Sequence, residues 1–257
     1  MVALISVTAA VALVMVAAAI GFYGTIIGAG GGFILIPAFL ILFDLEGVTA
    51  VGTGAVVLTA IGLAGSRNYL AAGILDRTSA VLMASASVPT AFVMSSVFAS
   101  RIDSSAYAGA LAVLLGVLAV WVAVMSVVGS DVPDDDQREL PPAGLLSVVG
   151  IGIGTISGLF AVGGGLLTLP AMIRLRGLNA HQAAATTAGA MTLSGVASVS
   201  GHALAGNINW TFAFWGLLGA VGGATAGSLV SARLNRRVIL GLVAGGLAIS
   251  ALSIAIW

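Results

Sequence analysis

"GAGGGFILIP", residues 28–37, places four glycines in five residues and then a proline inside an otherwise apolar stretch. Glycine weakens a helix and proline interrupts its hydrogen bonding, so one continuous membrane-crossing helix has no use for this combination. A second copy, "AVGGGLLTLP", stands at 161–170, 133 residues later. At that offset, without a gap, Gly21 matches Gly154, Gly30 to Gly32 match Gly163 to Gly165, and Pro37 matches Pro170. The register runs on through Thr53 and Thr186, Thr59 and Thr192, Gly62 and Gly195, and Ser95 and Ser228. Internal duplication of this kind marks many transporter folds, in which two repeats enclose a site near the bilayer midplane.

Composition supplies the solvent. With 60% hydrophobic and 7% charged residues, the chain departs from the roughly 25% charged of soluble domains and reads as an all-α polytopic membrane protein. Absence of cysteine excludes disulfides and thiolate chemistry, and the two histidines, His181 and His202, form no local metal motif. The first apolar run lacks a basic leading segment and continues through Ile27, so it is expected to be a retained helix rather than a cleaved signal. Helices are predicted over about 3–27, 33–43, 47–70, 77–98 and 105–128, then about 143–160, 166–175, 179–204, 210–231 and 236–256. The two repeats, 1–128 and 143–257, are joined by 129–142, an acidic, proline-containing linker with Asp131, Asp134, Asp135, Asp136 and Glu139.

The arginines bear on orientation. If each Gly–Pro segment continues its preceding helix, the halves are parallel and the nine arginines divide six to three. If each instead turns the chain back, every half makes an odd number of passes, and only Arg101 of the nine lies opposite the rest. Eight to one suits the positive-inside rule better, so the repeats are expected to be inverted, each a broken-helix hairpin plus three spanning helices. Backbone exposed at such a turn survives only beside protein or a wet cavity. The segments from Phe33 and Leu166 would start there as helices, pointing unpaired N–H groups inward as an anion site. Gly219, Gly223 and Gly227, spaced by four, read instead as helix packing.

The doubled glycine segments, the following "AVGT" (50–53) and "AAAT" (183–186), and the later "AAG" and "LAG" resemble the sulfite exporter TauE/SafE family of membrane permeases over essentially the whole chain. The resemblance implies transport of a small sulfur-containing anion, such as sulfite, sulfoacetate, thiosulfate or a related organosulfonate, across a prokaryotic cytoplasmic membrane. Direction and identity of the anion stay open.

No arginine falls in the middle of an apolar run, so weak donors are the candidate ligands: backbone at Gly30, Gly31, Gly32, Gly163, Gly164 and Gly165, and hydroxyls of Thr53, Thr186 and Thr187. Thr25 and Ser157, close to the turns, are secondary candidates. Arg67 and Asn68, with Tyr69, stand opposite Ser200, Gly201 and His202 in register and are expected at entrance vestibules, an interfacial structural role being the favoured reading for His202. Transport is either gradient-driven or coupled through groups at span ends, among them Asp44, Glu46, Asp76 and His202. No cofactor and no nucleic-acid partner is expected; the partners are the anion and the lipid bilayer. A permease for another small anion or a metal cation is the alternative, and no nucleophile–base pair supports an enzyme. Alanine at Gly31 or Gly164 is expected to preserve the fold unless φ there is positive.

Overall fold

The computed structural model describes residues 6–28, 30–128, 143–162, 164–231 and 236–256. The chain forms α1 (Val7–Ile26), α2 (Gly32–Phe43), α3 (Gly47–Ala71), α4 (Arg77–Val93), α5 (Ser104–Val128), α6 (Ala143–Phe160), α7 (Gly165–Arg176), α8 (Ala180–Leu204), α9 (Trp210–Ser231) and α10 (Arg236–Ile256). No strand occurs among the described residues. Among the described residues, four helices are long and apolar enough to cross a bilayer: Val7–Ile26, Gly47–Ala71, Arg77–Arg101 and Trp210–Val230. The linker 129–142 lies outside the described residues.

Polar residues at the breaks start the helices. Ser6 accepts from Ala9 N–H at the head of α1, and Asp76 accepts from Thr78 and Ser79 N–H at the head of α4. Asn179 and Gln182 form a reciprocal capping box at α8, and Asn209 accepts from Phe212 N–H as α9 begins. Each such cap satisfies donors that have no intrahelical acceptor. Beyond Pro89, α4 passes into a π-helical turn, Met94–Phe98, and a 3-10 turn, Ala99–Arg101.

Contacts fix the directions of the helices. A Cβ on Gly219, Gly223 or Gly227 would strike the carbonyl of Val14, Ala18 or Phe22 in turn, so these glycines do serve packing, and α9 runs parallel to α1. Gly150, Gly154 and Gly158 press likewise on the carbonyls of Met83, Ser87 and Ala91, which makes α6 parallel to α4. Asn209 N–H donates to Thr53 Oγ1 at 3.0 Å, bringing together the heads of α3 and α9; Asp76 N–H donates to Thr186 Oγ1 at 3.0 Å, bringing together the heads of α4 and α8. Where α3 meets α8, Gly62 faces Thr192 Oγ1 and Gly195 faces Thr59 Oγ1, so these two central helices are antiparallel. Meanwhile α2 retraces α3, with Gly32 beside Leu58 and Ile36 beside Gly54.

α1 therefore runs inward, the chain reverses at the glycines, and α2 returns to the end from which α1 came. At 12 residues, α2 is about 18 Å long and too short for a ~30 Å hydrocarbon layer; α7 has the same length. Both helices end on a left-handed residue in register, Asp44 (φ +50°) and Gly177 (φ +66°). The halves interlock rather than stand apart. The largest apolar core joins α1, α2, α3 and α5 to Ala220 and Ala224 of α9 and Val243 and Leu247 of α10, while a second joins Met83 of α4 to α6, α7 and α8.

Candidate functional site: two facing glycine turns

Gly28, Gly30 and Gly31 all have φ between +67° and +77°, a region that side chains other than glycine enter at a cost. Gly30 N–H returns to Gly24 O at 3.1 Å, and Gly31 O accepts from Ile34 and Leu35 N–H at 3.0 Å each, which opens α2. No side chain caps α2 or α7. In the second turn Ala161 holds φ +45° at the position matching Gly28, so an alanine bears there what glycine bears in the first. Gly163 lies outside the described residues. Gly164 O accepts from Thr168 N–H at 3.0 Å and from Thr168 Oγ1 at 2.7 Å.

The turns meet each other. A Cβ on Gly32 would collide with Ala161 O and approach Val162 C at 2.9 Å, so bare backbone from one repeat touches backbone from the other. Gly24 packs as closely on Gly30 and Gly31, and Gly28 on Ala184 of α8. Alanine is thus not the mild substitution expected of it. At Gly31, φ is +77° and a methyl group would sit 2.9 Å from Ile20 Cγ2; at Gly164 it would strike Ile153.

Two small cavities flank the α3–α8 crossing. One is lined by Gly24, Thr25, Gly28, Gly30, Gly62 and Tyr69 together with Ala188 and Met191 of α8. The other is lined by Ser157, Ala161, Gly195 and Ser198 with Ala55, Leu58 and Thr59 of α3, and it too reaches Met191. Most lining positions correspond at the offset of 133. Each cavity has room for about one water molecule, so this conformation is closed around the site.

Of the four buried side-chain polar atoms that lack a hydrogen-bond partner among the described residues, three belong to residues singled out by sequence: Thr25 Oγ1, Thr187 Oγ1 and His202 Nδ1, with Ser87 Oγ the fourth. Buried polar atoms are rarely left so, which makes these the atoms open to a water or ligand. Thr53 and Thr186 differ: their hydroxyl oxygens are engaged by backbone of the opposite half. They also stand five residues from Leu58 and Met191, the residues beside the turns, or about 7.5 Å along a helix. Ser157 lines the second cavity and its carbonyl accepts from Ser198 Oγ at 3.1 Å. Arg67 is exposed, and the side chain of Asn68 lies outside the described residues.

Tyr69 and His202 were expected at entrances; the structure buries both. Tyr69 donates to Thr25 O at 3.3 Å and His202 Nε2 bonds Gly158 O at 3.1 Å. These carbonyls lie in the last turns of α1 and α6, just before the glycines, and they correspond in register. Sequence reasoning also missed the pairing of Arg176 with Asp76 at 2.9 Å and with Ser79 Oγ at 3.0 Å, which ties the end of α7 to the head of α4. Burial alone would raise the Asp76 carboxyl, but hydrogen bonds from Ser79 and Arg176 outweigh it and hold the group below its ordinary range. No group of three or more His, Asp or Glu side chains suited to a metal occurs among the described residues.

The family model for the sulfite exporter TauE/SafE matches residues 12–254. The chain belongs to this family. Its relatives include the probable membrane transporter protein YunE of Bacillus subtilis, 27% identical with 89% of each chain covered, and a probable membrane transporter protein of Xylella fastidiosa, 29% identical with 93% of this chain and 91% of the relative covered. A Methanocaldococcus jannaschii probable membrane transporter is 23% identical over 72% of this chain. No solved structure matches. Like the rest of the TauE/SafE family, the chain is a multi-pass integral membrane protein and a membrane permease.

Proposed function

We propose that the protein moves a small sulfur-containing anion, of the class of sulfite, thiosulfate or a sulfonate, across the cytoplasmic membrane between two inverted repeats. The observation that carries the proposal is the contact of the uncapped N-terminus of α2 with the bare backbone of the turn that leads into α7, itself uncapped. Such termini present N–H groups and the positive end of the helix dipole. With no charged side chain among the described buried residues, the anion would be held by dipoles and by the Thr25 and Thr187 hydroxyls, weakly enough to leave again. The family name supports the substrate class, and the antiparallel α3 and α8 support inversion. Because the cavities are closed, passage requires the repeats to rock apart on alternate sides. A monovalent anion leaving a negative-inside cell gains about 2.3 kcal/mol per 100 mV, so export of this kind needs no coupling ion to drive it.

Purified protein should gain thermal stability with millimolar sulfite or thiosulfate, as any ligand selective for the folded state confers, and should exchange the labelled anion in proteoliposomes. Stabilisation by a divalent cation instead, with no anion exchange, would overturn the proposal in favour of a cation permease.

A further inference from the structure

The two halves hold the carbonyl before each glycine turn with different chemistry. Tyr69 serves α1 and His202 serves α6, at matched positions. A carbonyl only accepts, so the neutral His202 ring carries its hydrogen on Nε2 and presents a bare Nδ1 lone pair. Nδ1 is buried, on a fully buried residue, and has no hydrogen-bond partner among the described residues. A tyrosine performs the holding role without adding a base; the histidine adds one.

Among the described residues, nothing around the ring compensates a charge. From α6 it meets the carbonyl of Gly158. From α5, Tyr107 donates to the adjacent Leu159 carbonyl. From the α4 side, Phe92 O and Ser95 Oγ press on neighbouring Gly201, where α4 becomes π-helical, a distortion absent from the matching part of α9. Asp44 and Glu46, before α3, and Arg101 and Asp103, before α5, belong to connections at this end of the bundle; none pairs with the ring. From α7, Arg174 and Arg176 stand at the opposite end, and His181 begins the same helix 21 residues away.

We propose that His202 Nδ1 is a proton-binding site that couples opening of the second glycine turn to proton uptake from the side of the membrane where α8 ends. A solvent proton added at Nδ1 makes an imidazolium with one acceptor and no counter-ion, which is costly within a span. The closed packing and the bound proton then exclude each other. Relief comes when the ring reaches water, and that movement gives up the bond to Gly158 O and loosens the wall that contains Ser157 and Ala161. Tyr69 leaves the other half without this response, so pH acts on one side only.

The inference rests on the anion-permease reading, and one experiment separates the two. Exchange of labelled thiosulfate, which stays fully ionised, is measured in proteoliposomes with equal pH on both sides. Wild-type exchange should change by about tenfold between about pH 5 and 8. His202→Gln keeps an N–H donor but cannot titrate in this range, and His202→Tyr copies the other half; both should exchange thiosulfate with a flat pH profile. A variant that retains the wild-type profile, or a flat wild type, overturns the proton site and leaves the permease standing. If no protein exchanges thiosulfate, the permease reading fails for that anion, and 15N spectra of the two histidines decide the proton site: a His202 ring that keeps one neutral tautomer at every pH where the fold survives overturns it.

Discussion

The three threonines that the sequence offers as ligands and Thr25, its secondary candidate, divide into two pairs with opposite expected responses. Thr25 and Thr187 bury a hydroxyl that bonds nothing among the described residues, so valine, of nearly the same shape, removes an unsatisfied group. Thr25→Val and Thr187→Val should therefore leave thermal stability unchanged or raise it by up to about 1 kcal/mol while weakening anion-dependent stabilisation. Thr53 and Thr186 instead receive N–H groups from the opposite half. Their valine variants strand those donors and should cost about 1–3 kcal/mol, with little change in anion response for the protein that remains folded. The turn glycines follow the same accounting. Gly31→Ala meets the left-handed penalty of about 1–2 kcal/mol besides its steric conflict and should lower the unfolding temperature. Ala161→Gly relieves that penalty and gives back part of it as backbone entropy, so it should stabilise by about 1 kcal/mol or less. A destabilised Ala161→Gly protein would show that the left-handed alanine is held at no cost.

Among the elements, the short helix α7 is anchored at one end by an uncapped turn and at the other by Arg176. Asp76 caps α4, and its partners there include Ser79 and Arg176. Its carboxyl is more acidic folded than unfolded, so the contribution is fully present above the unfolded value of about 3.9 and is lost as pH falls through the lower folded value. Unfolding temperature should decline below about pH 4 in the wild type, and more weakly in Asp76→Asn. A double-mutant cycle of Asp76→Asn with Arg176→Gln reads the pair itself; additivity within about 0.5 kcal/mol would mean that the bridge does not couple α7 to α4. Asn209 occupies the place of Asp76 in the other half, without a charge, so this sensitivity to acid belongs to one half.

For the whole molecule, the inverted-repeat reading places both termini outside the cell and the acidic linker in the cytoplasm. With no native cysteine, single cysteines at Ser6, Asp135 and Ser253 report this in intact cells through an impermeant thiol reagent: labelling is expected at Ser6 and Ser253 and not at Asp135. Labelling confined to Asp135 would reverse the orientation, and labelling at all three positions or at none would point to parallel repeats.

What the sequence determined alone was the solvent, the helices and the turns. Hydrocarbon runs leave the backbone no choice but helix within a bilayer, and capping residues, glycine and proline act locally, so every predicted helix is found with its ends displaced by only a few residues. The duplication was equally legible, because register survives in the string of residues itself. Tertiary structure decided which groups are spent and which are open. That Thr53 is engaged by Asn209 while Thr25 is not, that Tyr69 and His202 turn inward on carbonyls, and that Gly32 rests on Ala161 all depend on contacts between residues far apart in the chain. Hydrogen-bond satisfaction is a property of pairs brought together by packing, and no periodicity within one helix specifies the partner supplied by another.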